Sequence, residues 1–252
     1  MEIRKQPVSR CAVITRADSI EYAEALAPLG YELLEMPVTR PEAVAHRLDG
    51  GYEIIAVASA RAAAATRQAI YGCSTPPEVW AVGAATQRAL AELRVTAHVP
   101  AGVVDGESLA AAILAQHSVA GVRVLVPRAE GGRPELADKL RSAGAIVDDA
   151  IVYRTVATTA DDPSVATARQ KLLDGKVSLI VVLAPSQVRA LVGIVGPLPH
   201  VVDLDKILPT FCAIGETTAA ALRDEGVTPI VAPTPTPAGI AMALAAVYPH
   251  RT

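Results

Sequence analysis

The chain repeats itself. VITRADSIEYAEALAPLGYELLEMPV (13–38) returns loosely as VLVPRAEGGRPELADKLRSAGAIVDDAIVY (124–153), and AVGAATQRALAELRVTAHV (81–99) returns more closely as AIGETTAAALRDEGVTPIV (213–231). Arg16 pairs with Arg128, Gly30 with Gly144, Gly83 with Gly215 and Thr86 with Thr218. A unit this long is not a solenoid repeat of roughly 20–50 residues. It is a duplicated α/β half, and two similar halves imply a cleft between them where function would sit.

Short β-branched runs alternate with Ala- and Leu-rich helical patterns. Strands are expected at 11–15, 31–38, 54–59, 79–83, 122–127, 145–156, 179–184, 211–215 and 229–232, with a short one at TAHVP. Helices follow Ser19, Pro41, Ser59, Ala84, Ser108, Pro134, Ser186, Glu216 and Pro237. This alternation implies a parallel sheet in each half, covered by helices, in a flavodoxin- or Rossmann-like layer. Ligands of such sheets bind at the carboxyl ends of the strands.

Composition excludes several functions. Hydrophobic residues make up 51% and aromatics only 3%, which suits aliphatic cores and argues against base-stacking recognition of single strands. A net charge of -3 gives no global attraction to nucleic acid or to anionic membranes. No run approaches the roughly 18 apolar residues of a membrane span, and the basic start MEIRKQPVSR is not followed by a signal-like apolar stretch. Cys11, Cys73 and Cys212 share no metal-like spacing and read as buried, reduced thiols of a cytoplasmic protein. The five histidines are scattered, which disfavours a zinc site or a Ser-His-Asp triad. GGRP (131–134) lacks the ending of a phosphate-binding loop, so nucleotide chemistry is unsupported.

The sharpest local signal is V/I-G-x-x-T, at 82–86 and 214–218. Each copy ends a strand at Gly and opens a helix, whose free N–H groups and dipole favour an anion. Gly83 and Gly215 would let a ligand approach the backbone, and Thr86 and Thr218 would either add hydroxyl donors or cap the helices. Arg16 and Arg128 follow strands in matched places and could each fork onto a carboxylate or form a surface ion pair. Ser59 and Ser186 are matched too, as donors or as caps. Tyr153 breaks the repeat, because its counterpart lies near the aliphatic Val38. Asymmetry in a duplicated protein is where a single active group could lie.

Taken in order, VITR, the Gly before the second strand, VG-x-x-T, PRAEGGRPEL, VYRTV, APS and AIGETTAAAL resemble the uroporphyrinogen-III synthase family over nearly the whole chain. The resemblance implies two α/β domains joined by a pair of strands: residues 1–36 with 156–252, then 39–152, with crossings near 37–38 and 153–155. It implies an enzyme that closes hydroxymethylbilane, a linear tetrapyrrole, to uroporphyrinogen III with inversion of ring D through a spiro intermediate and loss of water, using no metal or organic cofactor.

It further implies that Tyr153 donates the proton, an unperturbed phenol with a pKa near ~10 being protonated at pH 7. Thr217 would hold the substrate or polarise the leaving group, and Arg16, Ser59, Gly83, Thr86, Arg128, Ser186, Gly215 and Thr218 would hold carboxylates. The expected protein is a monomer of porphyrin and heme biosynthesis, in transient contact with the preceding pathway enzyme and binding neither nucleic acid nor membrane. Two positions depart from the family pattern. Ala58-Ser59-Ala60-Arg61 stands for Thr-Ser-x-Asn, and Ala184 stands where Ser or Thr precedes Pro185-Ser186. Arg61 could compensate. A degenerate tetrapyrrole-binding or regulatory module is the alternative; a regulator would be expected to pair such a domain with a DNA-binding helix-turn-helix, and no such pattern is read in these residues.

Overall fold

The computed structural model describes residues 10–201 and 208–247. In chain order the elements are β1 (Arg10–Ile14), α1 (Ile20–Leu26), β2 (Tyr31–Glu35), β3 (Thr39–Ala43), β4 (Ile54–Val57), α2 (Ala63–Tyr71), β5 (Glu78–Ala81), α3 (Gly83–Glu92) and α4 (Gly106–Gln116). There follow β6 (Arg123–Ala129), α5 (Glu135–Ser142), β7 (Ile146–Ala157), α6 (Pro163–Leu173), β8 (Val177–Val182), α7 (Pro185–Val195), β9 (Thr210–Ala213), α8 (Glu216–Asp224), β10 (Ile230–Val231) and α9 (Pro237–Val247).

The chain divides into two compact units, residues 1–40 with 156–252, and residues 41–155. The passes between units fall within β3 and β7. The junction between the two copies, between residues 99 and 124, lies inside the second unit, so the repeated segment is not the unit of folding.

The first unit holds a five-stranded sheet in the order β10-β9-β8-β1-β2, with every pairing parallel. Numbered within the unit this is 2-1-3-4-5, the flavodoxin-type order. Successive strand residues point to opposite faces. Val13, Ile180 and Val182 pack with α6, α7 and α8 on one face. Ala12, Ile14, Leu179 and Val181 pack with α1 and α9 on the other. Burial on both faces explains why these strands read as continuous apolar runs.

The second unit repeats the plan, with the order β3-β7-β6-β4-β5 and parallel pairing of β5, β4, β6 and β7. Ile55, Val57 and Leu125 meet α2 and α3. Ile54, Ala56 and Trp80 meet α4 and α5.

The structure differs from expectation at three places. Pro41 does not open a helix; residues 39–43 form β3, an edge strand, where a missing N–H costs no ladder bond. Just beyond it, the Val44 N–H reaches the Val152 carbonyl. TAHVP makes only the Trp80–His98 bridge. An unexpected helix, α6, follows Asp162-Pro163, with Asp162 accepting from the Ser164 N–H at 2.9 Å. Of the thiols, Cys212 is buried while Cys11 and Cys73 are half-buried.

Candidate functional site

In the 41–155 unit the strand order reverses between β4 and β6, and a cavity of about 320 Å³ opens there, at the carboxyl ends of the strands. That is where a doubly wound sheet binds ligands. β4 ends at the fully buried Val57, and the chain turns out through Ala58 to Ser59. Ser59 is extended (φ -146°), so its Oγ turns back to accept the Arg61 N–H at 3.3 Å and caps the short turn Ala60–Ala62. From β7, Tyr153 lies beside Ala129 of β6, just past a register shift. Its body belongs to the core with Val152 and Leu125. Its hydroxyl lines the cavity side and donates to Ser59 Oγ at 3.1 Å. A buried ring with a polar tip at the rim is the usual way a tyrosine serves both packing and chemistry.

The opposite wall is the start of α4. Asp105 caps it, accepting from the Ser108 N–H at 2.8 Å, while Ser108 Oγ accepts from the Asp105 N–H at 3.1 Å. The Ser108 hydroxyl, donating to Asp105 Oδ1 at 2.6 Å, and the Ser108 N–H hold the Asp105 carboxyl below its ordinary range. A Cβ at Gly106 would come within 3.1 Å of the Leu136 side chain, so this glycine lets α4 close onto α5.

Arg128 takes the ion-pair alternative. Its guanidinium grips Asp149, Nε to Oδ1 at 2.5 Å and Nη2 to Oδ2 at 3.1 Å, and its Nη1 reaches the carbonyls of Ala129 and Gly132. The hydrogen bonds to Asp149 raise its pKa further. Its donors are spent on holding β7 and the 129–132 turn, not on presenting a free fork. The cavity lining is mixed in charge: Asp105, Glu107 and Glu135 stand with Arg128 and Arg133. Glu107 is itself paired with Lys139 at 3.2 Å.

The two repeat turns are less alike than their letters. Gly83 has φ +70°, a left-handed conformation that favours glycine, whereas Gly215 is extended (φ -178°), open to any residue. At both, a Cβ would point into open space, so the side facing outward is clear. Thr86 and Thr218, expected as donors, are instead interior residues, 4% and 1% exposed. At the third residue of α8, Thr218 faces the core beside Ala219 and Leu222, and Thr217 is the exposed hydroxyl.

In the other unit the switch point lies between β1 and β8. Ser186 is exposed and caps nothing; α7 has no side-chain cap. The side chain of Gln187 instead ties down the turn that precedes the helix. Its Oε1 accepts from the Leu183 N–H at 3.0 Å and from the hydroxyl of the fully buried Thr15 at 2.7 Å. Arg16 is exposed, with Nε on the Ala17 carbonyl at 2.9 Å, and it acts electrostatically on Glu35.

Of the residues expected from sequence, Ser59, Arg128 and Tyr153 are thus brought together around one cavity, with Ser59 and Tyr153 in direct contact. Asp105, Arg133, Asp149 and Gln187 were missed. Asp105-x-x-Ser108 was readable as a cap, but nothing in the letters joins Asp149 to Arg128 or Gln187 to Thr15. Among the described residues no three His, Cys, Asp or Glu side chains gather as metal ligands.

A family model described as uroporphyrinogen-III synthase HemD matches residues 20–241. Among solved structures, the chain is similar to the uroporphyrinogen-III synthetase of Helicobacter pylori, at 18% identity over 95% of this chain and 99% of that one, with a TM-score of 0.57, which shows a shared fold. It is also matched to the uroporphyrinogen III synthase of the extreme thermophile Thermus thermophilus, at 20% identity over 95% and 99% of the two chains, with a TM-score of 0.44. Among curated proteins, none matches the chain.

Proposed function

The chain belongs to the uroporphyrinogen-III synthase family, and from that premise we propose that Tyr153 is the acid that starts the reaction, in the cavity of the 41–155 unit. The reaction is the cyclisation of hydroxymethylbilane to uroporphyrinogen III, with inversion of ring D and loss of water. Hydroxide is a poor leaving group from the terminal hydroxymethyl carbon of ring A. Protonation of its oxygen lets the C–O bond break as the pyrrole nitrogen pushes electrons in, leaving an azafulvene. The substituted carbon of ring D attacks it to form the spiro intermediate, which fragments and recloses at the free carbon.

The observation that carries the assignment is Tyr153 itself: a core-anchored ring whose hydroxyl stands at the carboxyl edge of the switch point, 3.1 Å from Ser59. General-acid help of this kind contributes typically ~10²–10⁴-fold. A cavity of about 320 Å³ is at the small end of ligand sites. It suits one end of a tetrapyrrole, so we assign it the hydroxymethyl-bearing ring. Folding the chain so that the substituted carbon attacks first is a matter of proximity and orientation.

The substrate carries eight carboxylates and the protein a net charge of -3, so its grip comes from local donors. Those we assign are the backbone N–H groups at the Gly83 and Gly215 turns, the hydroxyls of Ser186 and Thr217, and the guanidinium of Arg16. Ser59 keeps its place in the altered Ala58–Arg61 motif and meets Tyr153, which supports a working site over a degenerate one. No helix among the described residues is long and apolar enough to cross a membrane. We take the enzyme to act as a cytoplasmic monomer, without cofactor, receiving an unstable substrate from the enzyme that makes it.

The test is to supply hydroxymethylbilane made in situ and resolve the isomers formed. The unsubstituted enzyme yields isomer III; Tyr153→Phe lowers kcat by about 10²–10⁴-fold and lets isomer I accumulate. Turnover of Tyr153→Phe at the unsubstituted rate would remove Tyr153 from the mechanism.

A further inference from the structure

Resting on the reading of Tyr153 as the acid, we propose that the proton reaches the substrate through Ser59: its hydroxyl is the group that touches the leaving oxygen, and Tyr153 stands behind it as the proton reservoir. The hydrogen-bond inventory points to a second group. A phenol has one proton to give, and that of Tyr153 is committed to Ser59 Oγ at 3.1 Å. Tyr153 as a whole is 8% exposed, and its ring is fixed among Val152, Leu125 and Ala129. Turning its hydroxyl toward a substrate would break this hydrogen bond without moving the ring.

Ser59 is placed to pass the proton on. Its oxygen accepts twice, from Tyr153 and from the Arg61 N–H at 3.3 Å. A serine hydroxyl has two lone pairs and one hydrogen, so both acceptor sites are filled and its own O–H is left to donate. Ser59 is half-buried, sits after β4 at the switch point and lines the cavity. The Arg61 N–H heads a short helical turn, and its partial positive charge at Ser59 Oγ favours release of the serine proton outward.

The step balances. Ser59 O–H gives its proton to the hydroxymethyl oxygen as the C–O bond breaks and the bonding pair leaves with oxygen, so water departs. Ser59 takes the Tyr153 proton in the same motion and remains a neutral hydroxyl. Tyr153 is left as phenolate, and the proton lost when the attacking pyrrole regains aromaticity returns to it. The enzyme ends as it began, and the substrate has lost one water.

The experiment combines single-turnover rates in mixtures of light and heavy water with steady-state kinetics, on the unsubstituted enzyme and on Tyr153→Phe, Ser59→Ala and Ser59→Thr. Two protons in flight give a bowed dependence of rate on deuterium fraction. Ser59→Ala is expected to lose about 10²-fold in kcat with KM within threefold, and Ser59→Thr, which restores a hydroxyl, to recover at least tenfold of that loss. A straight dependence in the unsubstituted enzyme overturns the relay. So does Ser59→Ala turning over within threefold of the unsubstituted rate, or losing through KM alone. If that happens while Tyr153→Phe stays crippled, Tyr153 remains the acid and acts directly; if both variants turn over normally, the reading of Tyr153 falls as well. Should Ser59→Ala fail to fold, the isotope dependence of the unsubstituted enzyme decides.

Discussion

Arg128 and Asp149 sit on neighbouring strands, and the guanidinium closes on both carboxylate oxygens. The side chains are only 22% and 13% exposed, and Arg141 adds a longer contact to Asp149 at 3.5 Å. A forked pair of this kind has a geometry that lysine cannot reproduce. It ties β7, which carries Tyr153, to the turn that borders the cavity.

Asp149→Ala leaves a guanidinium half out of water without its partner. The expected cost is about 2–3 kcal/mol in urea unfolding, below the range for fully buried pairs because both groups keep some solvent. Arg128→Lys is expected to recover less than half of the loss shown by Arg128→Ala. Arg128→Ala with unchanged stability and a KM raised tenfold would instead return this arginine to the substrate.

Ser19 stands at the start of α1, but its side chain does not cap the helix. Its N–H and hydroxyl both donate to Glu35 Oε1, at 2.8 and 2.7 Å. Burial pushes the Glu35 carboxyl up, but the Ser19 hydrogen bonds, a backbone bond from Asp18 and the charge of Arg16 outweigh it, so the pKa lies below its ordinary value of 4.5. With the folded pKa below the unfolded one, the stabilising contribution is complete above pH 4.5 and is lost as pH falls through the folded value. Thermal unfolding between about pH 3 and 7 should therefore show a shallower acid slope for Ser19→Ala than for the unsubstituted protein. Parallel curves would show that the pair contributes nothing measurable.

The fold was legible because its signals are local. Apolar β-branched runs such as 54–57 and 179–182, and glycines such as Gly30 and Gly144 after helices, report on their own surroundings. The errors came where a distant partner decides. Residues 39–43 are a strand because β7 lies beside them, and no helical propensity after Pro41 could reveal that. The site was half legible for the same reason. The repeat pointed to Arg128 and Thr218 by matched position, but a matched position does not say which way a side chain faces. Asp149 captures one, and the helical turn buries the other. Tyr153 stood out because it broke the repeat, and its contact with Ser59, 94 residues away, follows only from the adjacency of β4, β6 and β7.

Two helical glycines make opposite predictions. At Gly239 in α9 a Cβ would stand 2.2 Å from the Thr234 carbonyl oxygen and 2.4 Å from its Oγ1. At Gly193 in α7 a Cβ meets nothing within 4 Å. Alanine is intrinsically favoured in a helix by up to about 1 kcal/mol, so Gly193→Ala should raise the melting temperature by a few degrees. Gly239→Ala should lower stability by about 1–3 kcal/mol, because the clash is with backbone and the Thr234–Thr236 turn has to shift. Equal effects in the two variants would mean that the 234–239 turn yields freely.

Thr217 and Thr218 are adjacent and chemically identical, and their positions separate binding from packing. Thr218 is 1% exposed in the first turn of α8, whereas Thr217 is exposed at the second position of that turn. Valine keeps the shape of threonine and removes the hydroxyl. Thr217→Val should therefore raise KM about tenfold, the scale of one lost hydrogen bond to a charged group, with little effect on unfolding. Thr218→Val should leave KM within twofold and register in unfolding alone. The reverse pattern would place the functional hydroxyl at Thr218 and require α8 to turn by most of a residue when substrate binds. Thr217→Ser adds a control, since it keeps the donor while dropping the methyl group and should hold KM within threefold.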